Sequence, residues 1–140
     1  MNSSELHHFI ADLDRRYNTN IARHKDKVAA IPEALNSDEE VRFVMSGSLR
    51  GSFRDDVFVA TNKRLLVIRR NGKQVDDYDL AETIEICLPS KPSDYTNPQH
   101  LVNLDITFPN GDCRVLAKSA PVIALAASVY QSAVGIINMG

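Results

Sequence analysis

Residues 57–70 carry the clearest hydrophobic pattern in the chain, V-F-V-A-T-N-K-R-L-L-V-I-R-R. Two apolar runs rich in β-branched residues flank one polar step at residues 61–64, which predicts a strand, a tight connection and a second strand. Apolar side chains occur at both alternating sets of positions in each run, so both faces of the predicted hairpin are apolar. An antiparallel sheet in water commonly leaves one face solvated. The pattern therefore predicts that something covers the second face.

Shorter alternating patterns predict further strands on both sides of this hairpin. The Asn-Gly pairs at 71–72 and 110–111 favour type I′ hairpin turns. In the fifth strand Ile84, Ile86 and Leu88 are predicted to share one face. The predicted strands are 41–48, 56–61, 64–70, 73–79, 83–88, 101–108 and 113–117.

Helical periodicity is confined to the two ends of the chain. Residues 4–17 predict a helix with Ser4 as its N-cap, and residues 21–31 predict a second helix that Pro32 limits. A third helix is predicted over 120–134, with Pro121 in its first turn and no charged residue in its body. The predicted fold is mainly β (α+β), with an N-terminal helical extension at 1–34 followed by one domain at 35–140.

Several short motifs resemble one family of domains. These are the polar turn at 35–40, the T-N-K-R-L step at 61–65, residues 78–80 and the final helix. Together with the order of the elements they resemble the bacterial pleckstrin-homology-like domains, in particular the YokE-like group, over about residues 35–134. The resemblance implies a seven-stranded antiparallel barrel closed by a C-terminal helix. It also implies a binding role, since such domains bind lipid headgroups, peptides or proteins and bacterial members often self-assemble.

Composition limits the classes of function. The 140 residues include 16 basic and 18 acidic side chains, for a net charge of -2, which argues against broad electrostatic attraction to nucleic acid or to anionic membranes. Aromatic residues are 6% of the chain and its basic clusters are small, so no nucleic-acid partner is expected. The chain shows neither a secretory leader nor an apolar run long enough for a membrane span, which predicts a cytoplasmic protein with Cys87 and Cys113 reduced.

Catalytic chemistry finds no support in the motifs. The chain lacks a nucleophile elbow, a P-loop, a dinucleotide-binding turn and a zinc-protease helix, so we expect no catalytic residue and no cofactor. His7, His8 and His24 do not have metal-ligand spacing and are interpreted as residues of solvated helix faces, so no metal site is predicted. Asp76, Asp77 and Asp79 are interpreted as solvated residues at the edge of a strand.

Two sets of candidate binding residues remain. The resemblance implies that basic residues on and after the first hairpin form a ligand site, and the residues in those places are Arg50, Arg54, Lys63 and Arg64. Asp55 and Asp56 lie beside them and offset their charge. The apolar second face of the central hairpin suggests an interface formed by Phe58, Leu66 and Ile68, covered in part by the N-terminal helices and in part by a second subunit.

These observations favour a non-catalytic binding or scaffold module. Its partner is expected to be another protein or a second copy of the chain, in a homo-oligomer. The alternative function is binding of an anionic phospholipid headgroup at a membrane surface through the basic candidates.

Overall fold

The computed structural model describes residues 1–133 and the backbone of residues 136–139. Three helices precede the sheet: α1 (Ser3–Tyr17), α2 (Lys25–Ala29) and α3 (Ile31–Ala34). The sheet strands and the long C-terminal helix follow in the order β1 (Val41–Leu49), β2 (Asp55–Thr61), β3 (Arg64–Arg69), β4 (Gln74–Asp79), β5 (Glu85–Leu88), β6 (Leu101–Phe108), β7 (Gly111–Lys118), α4 (Ser119–Tyr130) and β8 (Ile136–Met139).

The strands form one continuous sheet in the order β4-β3-β2-β1-β7-β6-β5-β8. β1 pairs with β2 over most of its length, and its last residues pair with β7, so that β1 joins the two halves of the sheet. Gly47 permits this junction, because a Cβ atom there would lie 2.9 Å from the Cβ of Ala117. The junction brings the start of the domain and its final hairpin together.

The predicted fold class is confirmed. β1 to β7 are antiparallel to their neighbours, and α4 packs against β1, β2, β6 and β7. β8 was not predicted, and it pairs in parallel with β5. The last helix was predicted to reach residue 134 but ends at Tyr130, and Val134 lies outside the described residues.

The N-terminal helices differ in detail from the prediction. Asn2 is the N-cap of α1, because its side-chain oxygen accepts a hydrogen bond from the Glu5 backbone N–H at 2.8 Å. The predicted helix at 21–31 is divided into a 3₁₀ turn (Ile21–Arg23) and the short helix α2. Pro32 does not end a helix but lies in the first turn of α3, where the missing N–H costs nothing.

Both predicted Asn-Gly turns also differ from the structure. Asn71 and Gly72 have the expected positive φ, but Arg70 does too, and the connection between the paired residues Arg69 and Gln74 contains four residues. In the second hairpin Phe108 pairs with Gly111, so the turn residues are Pro109 and Asn110. The fifth strand begins at Glu85, and Ile84 is 51% exposed instead of sharing a buried face with Ile86 and Leu88.

The predicted cover over both faces of the central hairpin is confirmed. Residues 57–60 and 65–68 are all 0% exposed. The N-terminal segment supplies part of the cover: α1 and the 3₁₀ turn contact β1, and α2 contacts β2. Six apolar side chains of that segment belong to the same hydrophobic core as the sheet, namely Leu6, Ile10, Leu13, Ile21, Val28 and Ile31. The division of the chain into an extension at 1–34 and a domain at 35–140 stays a prediction.

Candidate functional site

The T-N-K-R step forms the connection between β2 and β3, and its own side chains define its shape. The Thr61 hydroxyl oxygen accepts hydrogen bonds from the backbone N–H groups of Lys63 (3.0 Å) and Arg64 (2.8 Å). Asn62 bonds reciprocally with Glu40: its side-chain oxygen accepts from the Glu40 N–H at 2.8 Å, and its own N–H donates to the Glu40 carbonyl at 3.0 Å. The T-N-K-R step therefore holds Glu40, the residue just before β1, against the β2–β3 connection.

Arg64 is the centre of a buried network of hydrogen bonds. Its Nε donates to both carboxylate oxygens of Glu39, at 3.1 and 3.0 Å, and Nη2 pairs with the same carboxylate. Nη2 also donates to the Ala34 carbonyl oxygen at 2.8 Å, and Nη1 donates to Asp77 at 3.0 Å. The Arg64 side chain is only 20% exposed. Its three nitrogen atoms thus all donate to groups within the chain.

Glu39 is the buried carboxylate of this network, with a side chain that is 0% exposed. Burial alone would raise its pKa, but hydrogen bonds from Arg64, the Asn36 N–H and the Thr61 hydroxyl lower the pKa to about 2. The carboxylate is therefore charged at neutral pH, and its hydrogen bonds from Arg64, Asn36 and Thr61 keep it charged in a buried position. Glu39 was not among the predicted site residues, since the sequence shows only a polar turn at that point.

The other three basic candidates have different surroundings. Lys63 pairs with Asp38, and its side chain is 51% exposed. Arg50 pairs with Asp105 and is 31% exposed. Arg54 is exposed, and its guanidinium has no hydrogen-bond or salt-bridge partner among residues 1–133. Of the four, only Arg54 carries a charge that no acidic side chain of the described chain compensates.

The four candidates do not form one cluster. Arg50 and Arg54 flank the β1–β2 turn, and Lys63 and Arg64 follow the other end of β2. A seven-residue strand separates the two pairs, which corresponds to about 20 Å at 3.3 Å per residue. One headgroup-sized anion is too small to contact both pairs at once.

A groove of about 440 Å³ lies beside the β2–β3 connection. The acidic Asp77 and Asp79 of β4 line it together with the basic Lys63 and Arg64, so the groove has no dominant charge. Its other lining residues are Asn36, Asn62, Ala81 and Ser132. Asp77 is already paired with Arg64. Asp76, on the same strand as Asp77, is paired with Arg69 of β3 at 3.4 Å. We interpret this groove as the outer surface of the Arg64 network.

The interface candidates Phe58, Leu66 and Ile68 are all 0% exposed in the single chain. They also do not share a face, because Phe58 is paired with Val67, whereas Leu66 is paired with Val59. The face that Leu66 and Ile68 form is covered from within the chain. An interface with a partner therefore requires a different surface in this conformation.

Exposed apolar side chains lie elsewhere, on the β1–β2 turn and on α4 among other places. Phe53, in the β1–β2 turn next to Arg54, is 105% exposed. On α4, Ile123 and Tyr130 are 42% and 54% exposed, with the exposed Ala127 between them. Sequence reasoning interpreted α4 as a docked helix. The absence of charge over 119–130 was the signal that its outer face is apolar too.

No helix in the described part of the chain has both the length and the apolar character needed to cross a membrane. Within the same residues, no group of three His, Cys, Asp or Glu side chains is arranged to hold a metal ion. Cys87 is half-buried and Cys113 is buried; both are free cysteines, and burial raises the pKa of Cys113 to about 12.

No family model and no curated protein match this chain. Solved structures do match its fold. The hSac2 domain from human phosphoinositide phosphatase Sac2 superimposes with a TM-score of 0.50 at 13% identity, over 80% of this chain and 84% of that one. The linker-DH/PH domains of p115-RhoGEF superimpose with a TM-score of 0.51 at 10% identity, over 93% of this chain and 39% of that one.

A truncated form of the p115-RhoGEF structure gives a TM-score of 0.49 at 8% identity, and the match covers 75% of this chain and 32% of that one. This chain therefore spans about a third of the length of the p115-RhoGEF chains it matches. At these identities the matches establish the fold alone. The fold is pleckstrin-homology-like.

Proposed function

We propose that this chain is a non-catalytic module that binds a protein partner or a second copy of itself, and that it belongs to the YokE-like group of bacterial pleckstrin-homology-like domains. The T-N-K-R-L step and the C-terminal helix support the group. One observation carries the binding role: the outer face of α4 is apolar and exposed.

The exposed residues of α4 are spaced to form one stripe. Ile123, Ala127 and Tyr130 lie four and three positions apart, so their side chains occur on the same side of the helix. The opposite side, with Val122, Leu125 and Val129, is buried against the sheet. A helix on the surface of a globular protein normally has charged and polar residues on its outer face, and a helix that is apolar all round is normally buried.

The chemistry of the stripe suits a protein partner. α4 itself carries no charged residue between Ser119 and Tyr130, so burying its outer face would not take a charge of this helix out of water. Tyr130 has the apolar ring and hydroxyl group that are common in protein interfaces. Ala127 is small enough for another helix to approach closely. A second copy would meet all three conditions with the same stripe, about a two-fold axis.

Sedimentation of the native chain over a wide range of concentrations tests self-association directly. We expect a mass above 15.6 kDa that returns to the monomer value in an Ile123→Glu, Tyr130→Glu double variant, because two carboxylates would be buried in the contact. Ile84→Glu is the matched control, since Ile84 is equally exposed but lies before β5. A native chain that stays monomeric, and binds the same proteins as the double variant does, would contradict the proposal.

A second candidate function, binding of an anionic phospholipid headgroup, is favoured by the β1–β2 turn. Phe53 is fully exposed there, and the adjacent Arg54 has no acidic partner among the described residues. An apolar tip beside an uncompensated cation suits a surface that presents anionic headgroups over hydrocarbon. The Arg50–Asp105 pair beside the turn weakens this site, because half of its basic charge is already neutralised.

Vesicle co-sedimentation distinguishes this second function. We expect Arg54→Glu to abolish binding to vesicles that contain an anionic phospholipid, and we expect Phe53→Ser to weaken it, with binding by the native chain declining as salt increases. Arg16→Glu is the control, because Arg16 is an exposed residue of α1 far from the turn in sequence. Equal vesicle binding by the native chain and Arg54→Glu would exclude the β1–β2 turn as a headgroup site.

A further inference from the structure

His24 lies at the junction between the 3₁₀ turn and α2, in the segment that helps to cover the sheet. Its backbone N–H donates to the Ile21 carbonyl at 3.0 Å, and its own carbonyl accepts from the Val28 N–H at 2.9 Å. Its side chain is half-buried. Its Nε2 atom is buried without a hydrogen-bond partner, the only such side-chain atom found among the described residues. A buried polar atom of this kind needs an explanation.

Two cations and two carboxylates surround the imidazole, and the cations have the larger effect on it. Arg23 and Lys27 flank it on its own segment, and Asp14 of α1 and Asp55 of β2 face it from the neighbouring elements. Both carboxylates already have hydrogen-bond or ion-pair partners other than His24. Asp55 pairs with Arg23 at 3.3 Å, and Asp14 accepts hydrogen bonds from the Thr19 hydroxyl and from the Ile21 and Ala22 N–H groups at 2.7 to 3.1 Å. Neither carboxylate is a hydrogen-bond partner of the His24 Nε2 atom in this structure.

The segment that holds His24 is attached to the sheet by few polar contacts. Lys27 donates to the backbone carbonyl of Asp55 at 2.7 Å, and Arg23 pairs with the side chain of the same residue. α2 also packs against the β3–β4 turn, where a Cβ on Gly72 would lie 2.7 Å from the Asp26 carbonyl oxygen. A third positive charge beside Arg23 and Lys27 would act against both polar contacts.

We propose that His24 is a proton-sensitive latch that keeps residues 21–31 docked on the sheet while its imidazole is neutral, and weakens this docking when it is protonated. Protonation would add a buried N–H without an acceptor and a charge next to two cations. This inference goes beyond the proposed function, because it concerns access to the sheet surface beneath the segment and not the outer face of α4.

The direction of the pH dependence follows from the pKa. Burial lowers the pKa of His24 below its usual 6.5, and Lys27 and Arg23 lower it further, against the smaller effects of Asp55 and Asp14. The docked state therefore binds the proton less readily than the released state. Docking is strongest above pH 6.5, weakens as the pH falls below that value, and stops weakening below the lowered pKa.

Hydrogen exchange and histidine titration test the latch. In the native chain we expect protection factors over residues 21–31 to fall between pH 7.5 and 5.5, by up to about tenfold, while β6 and β7 keep theirs. A His24→Gln variant, which cannot titrate, should show a smaller fall, and His7→Gln, at an exposed histidine, should behave as the native chain does. Any other group that titrates in this range affects all three proteins equally.

Nuclear magnetic resonance of the native chain gives a second readout that needs no variant to fold. The His24 imidazole should titrate with a pKa below its usual value of 6.5. If His24 titrates at or above pH 6.5, or if the native chain and His24→Gln lose protection equally, the latch is excluded. Loss of protection over the whole sheet in place of residues 21–31 would also overturn it.

Discussion

Removal of residues 1–34 is expected to leave the remaining chain unable to fold cooperatively. The removed segment contributes six apolar side chains that are at most 6% exposed: Leu6, Ile10, Leu13, Ile21, Val28 and Ile31. Fully burying a side chain of this kind contributes about 1.5–3 kcal/mol before the entropy of ordering the segment is counted. Whole domains are stable by only about 5–15 kcal/mol, so the loss is comparable with the total. The truncation would also expose apolar surface of the sheet, which favours aggregation.

Circular dichroism and denaturant titration of residues 35–140 measure this effect. We expect no sigmoidal transition, or precipitation during purification. The milder Ile10→Asp variant of the full chain should unfold at much lower denaturant concentration than the native chain, and Arg16→Ala, on the exposed side of α1, should stay within about 0.5 kcal/mol of native stability. A cooperative, monomeric 35–140 fragment would instead establish residues 1–34 as a separable extension, which is the division that the sequence predicts.

The fold was predictable because periodicity records which side chains face the core. β1, β6, β7 and the final helix had an apolar pattern of the right period, and the apolar character of both faces at 57–60 correctly predicted a cover over each. β4 had no such pattern, because its apolar residues Val75 and Tyr78 lie on opposite faces. The faces themselves were harder to assign. Phe58 was grouped with Leu66 and Ile68, but the pairing of Phe58 with Val67 places it opposite to them, since register depends on the length of the connection between strands.

Turn details and the last strand were not predictable for related reasons. Asn-Gly signals a hairpin, but at 110–111 the paired residues are Phe108 and Gly111, so the turn lies one residue earlier than the signal. At Asn71-Gly72 the packing of α2 against Gly72 accompanies a longer connection. β8 has only four residues and pairs with β5 from far along the chain. A segment this short carries no period that a sequence pattern can detect.

At the candidate site, residue type alone does not show which basic side chains are available to a ligand. Arg64 and Arg54 are both arginines next to β2. Arg64 donates hydrogen bonds to Glu39, Asp77 and the Ala34 carbonyl, whereas Arg54 is exposed. The difference comes from Glu39, which lies 25 positions before Arg64. Glu39 is buried only when the segment before β1 is folded against the sheet. Basic residues near a hairpin therefore divide into structural and available ones only when their partners are known.

Arg64→Ala is expected to destabilise the chain by about 3–5 kcal/mol, because it leaves the Glu39 carboxylate buried without its cation. Denaturant titration at neutral pH measures the loss. Arg54→Ala is the matched control, and we expect less than about 0.5 kcal/mol there because that side chain is exposed and unpaired within the described residues. Equal effects of the two substitutions would show that the Arg64 network does not stabilise the fold.

The pH dependence of this loss separates the ion pair from simple packing. In the native chain a Glu39 pKa that falls from 4.5 to about 2 on folding corresponds to about 3 kcal/mol of stability, which is present above pH 4.5 and is lost as the pH falls toward 2. In Arg64→Ala the buried carboxylate should instead have a raised pKa, so protonation relieves the variant at acidic pH. The difference in stability between the native chain and Arg64→Ala should therefore begin to shrink above pH 4.5, as the variant is protonated, and should go on shrinking toward pH 2, as the native chain is protonated.

A double-variant cycle isolates the coupling between the two side chains. Glu39→Gln removes the charge but keeps the size of the side chain, and Arg64 retains Asp77 and the Ala34 carbonyl as partners. We expect Arg64→Ala to cost much less in the Glu39→Gln background than in the native chain, since no buried carboxylate is then left without its cation. Its cost should also become nearly independent of pH between 4.5 and 2. An undiminished cost would mean that Arg64 stabilises the fold through its other contacts, and that the T-N-K-R step does not depend on Glu39.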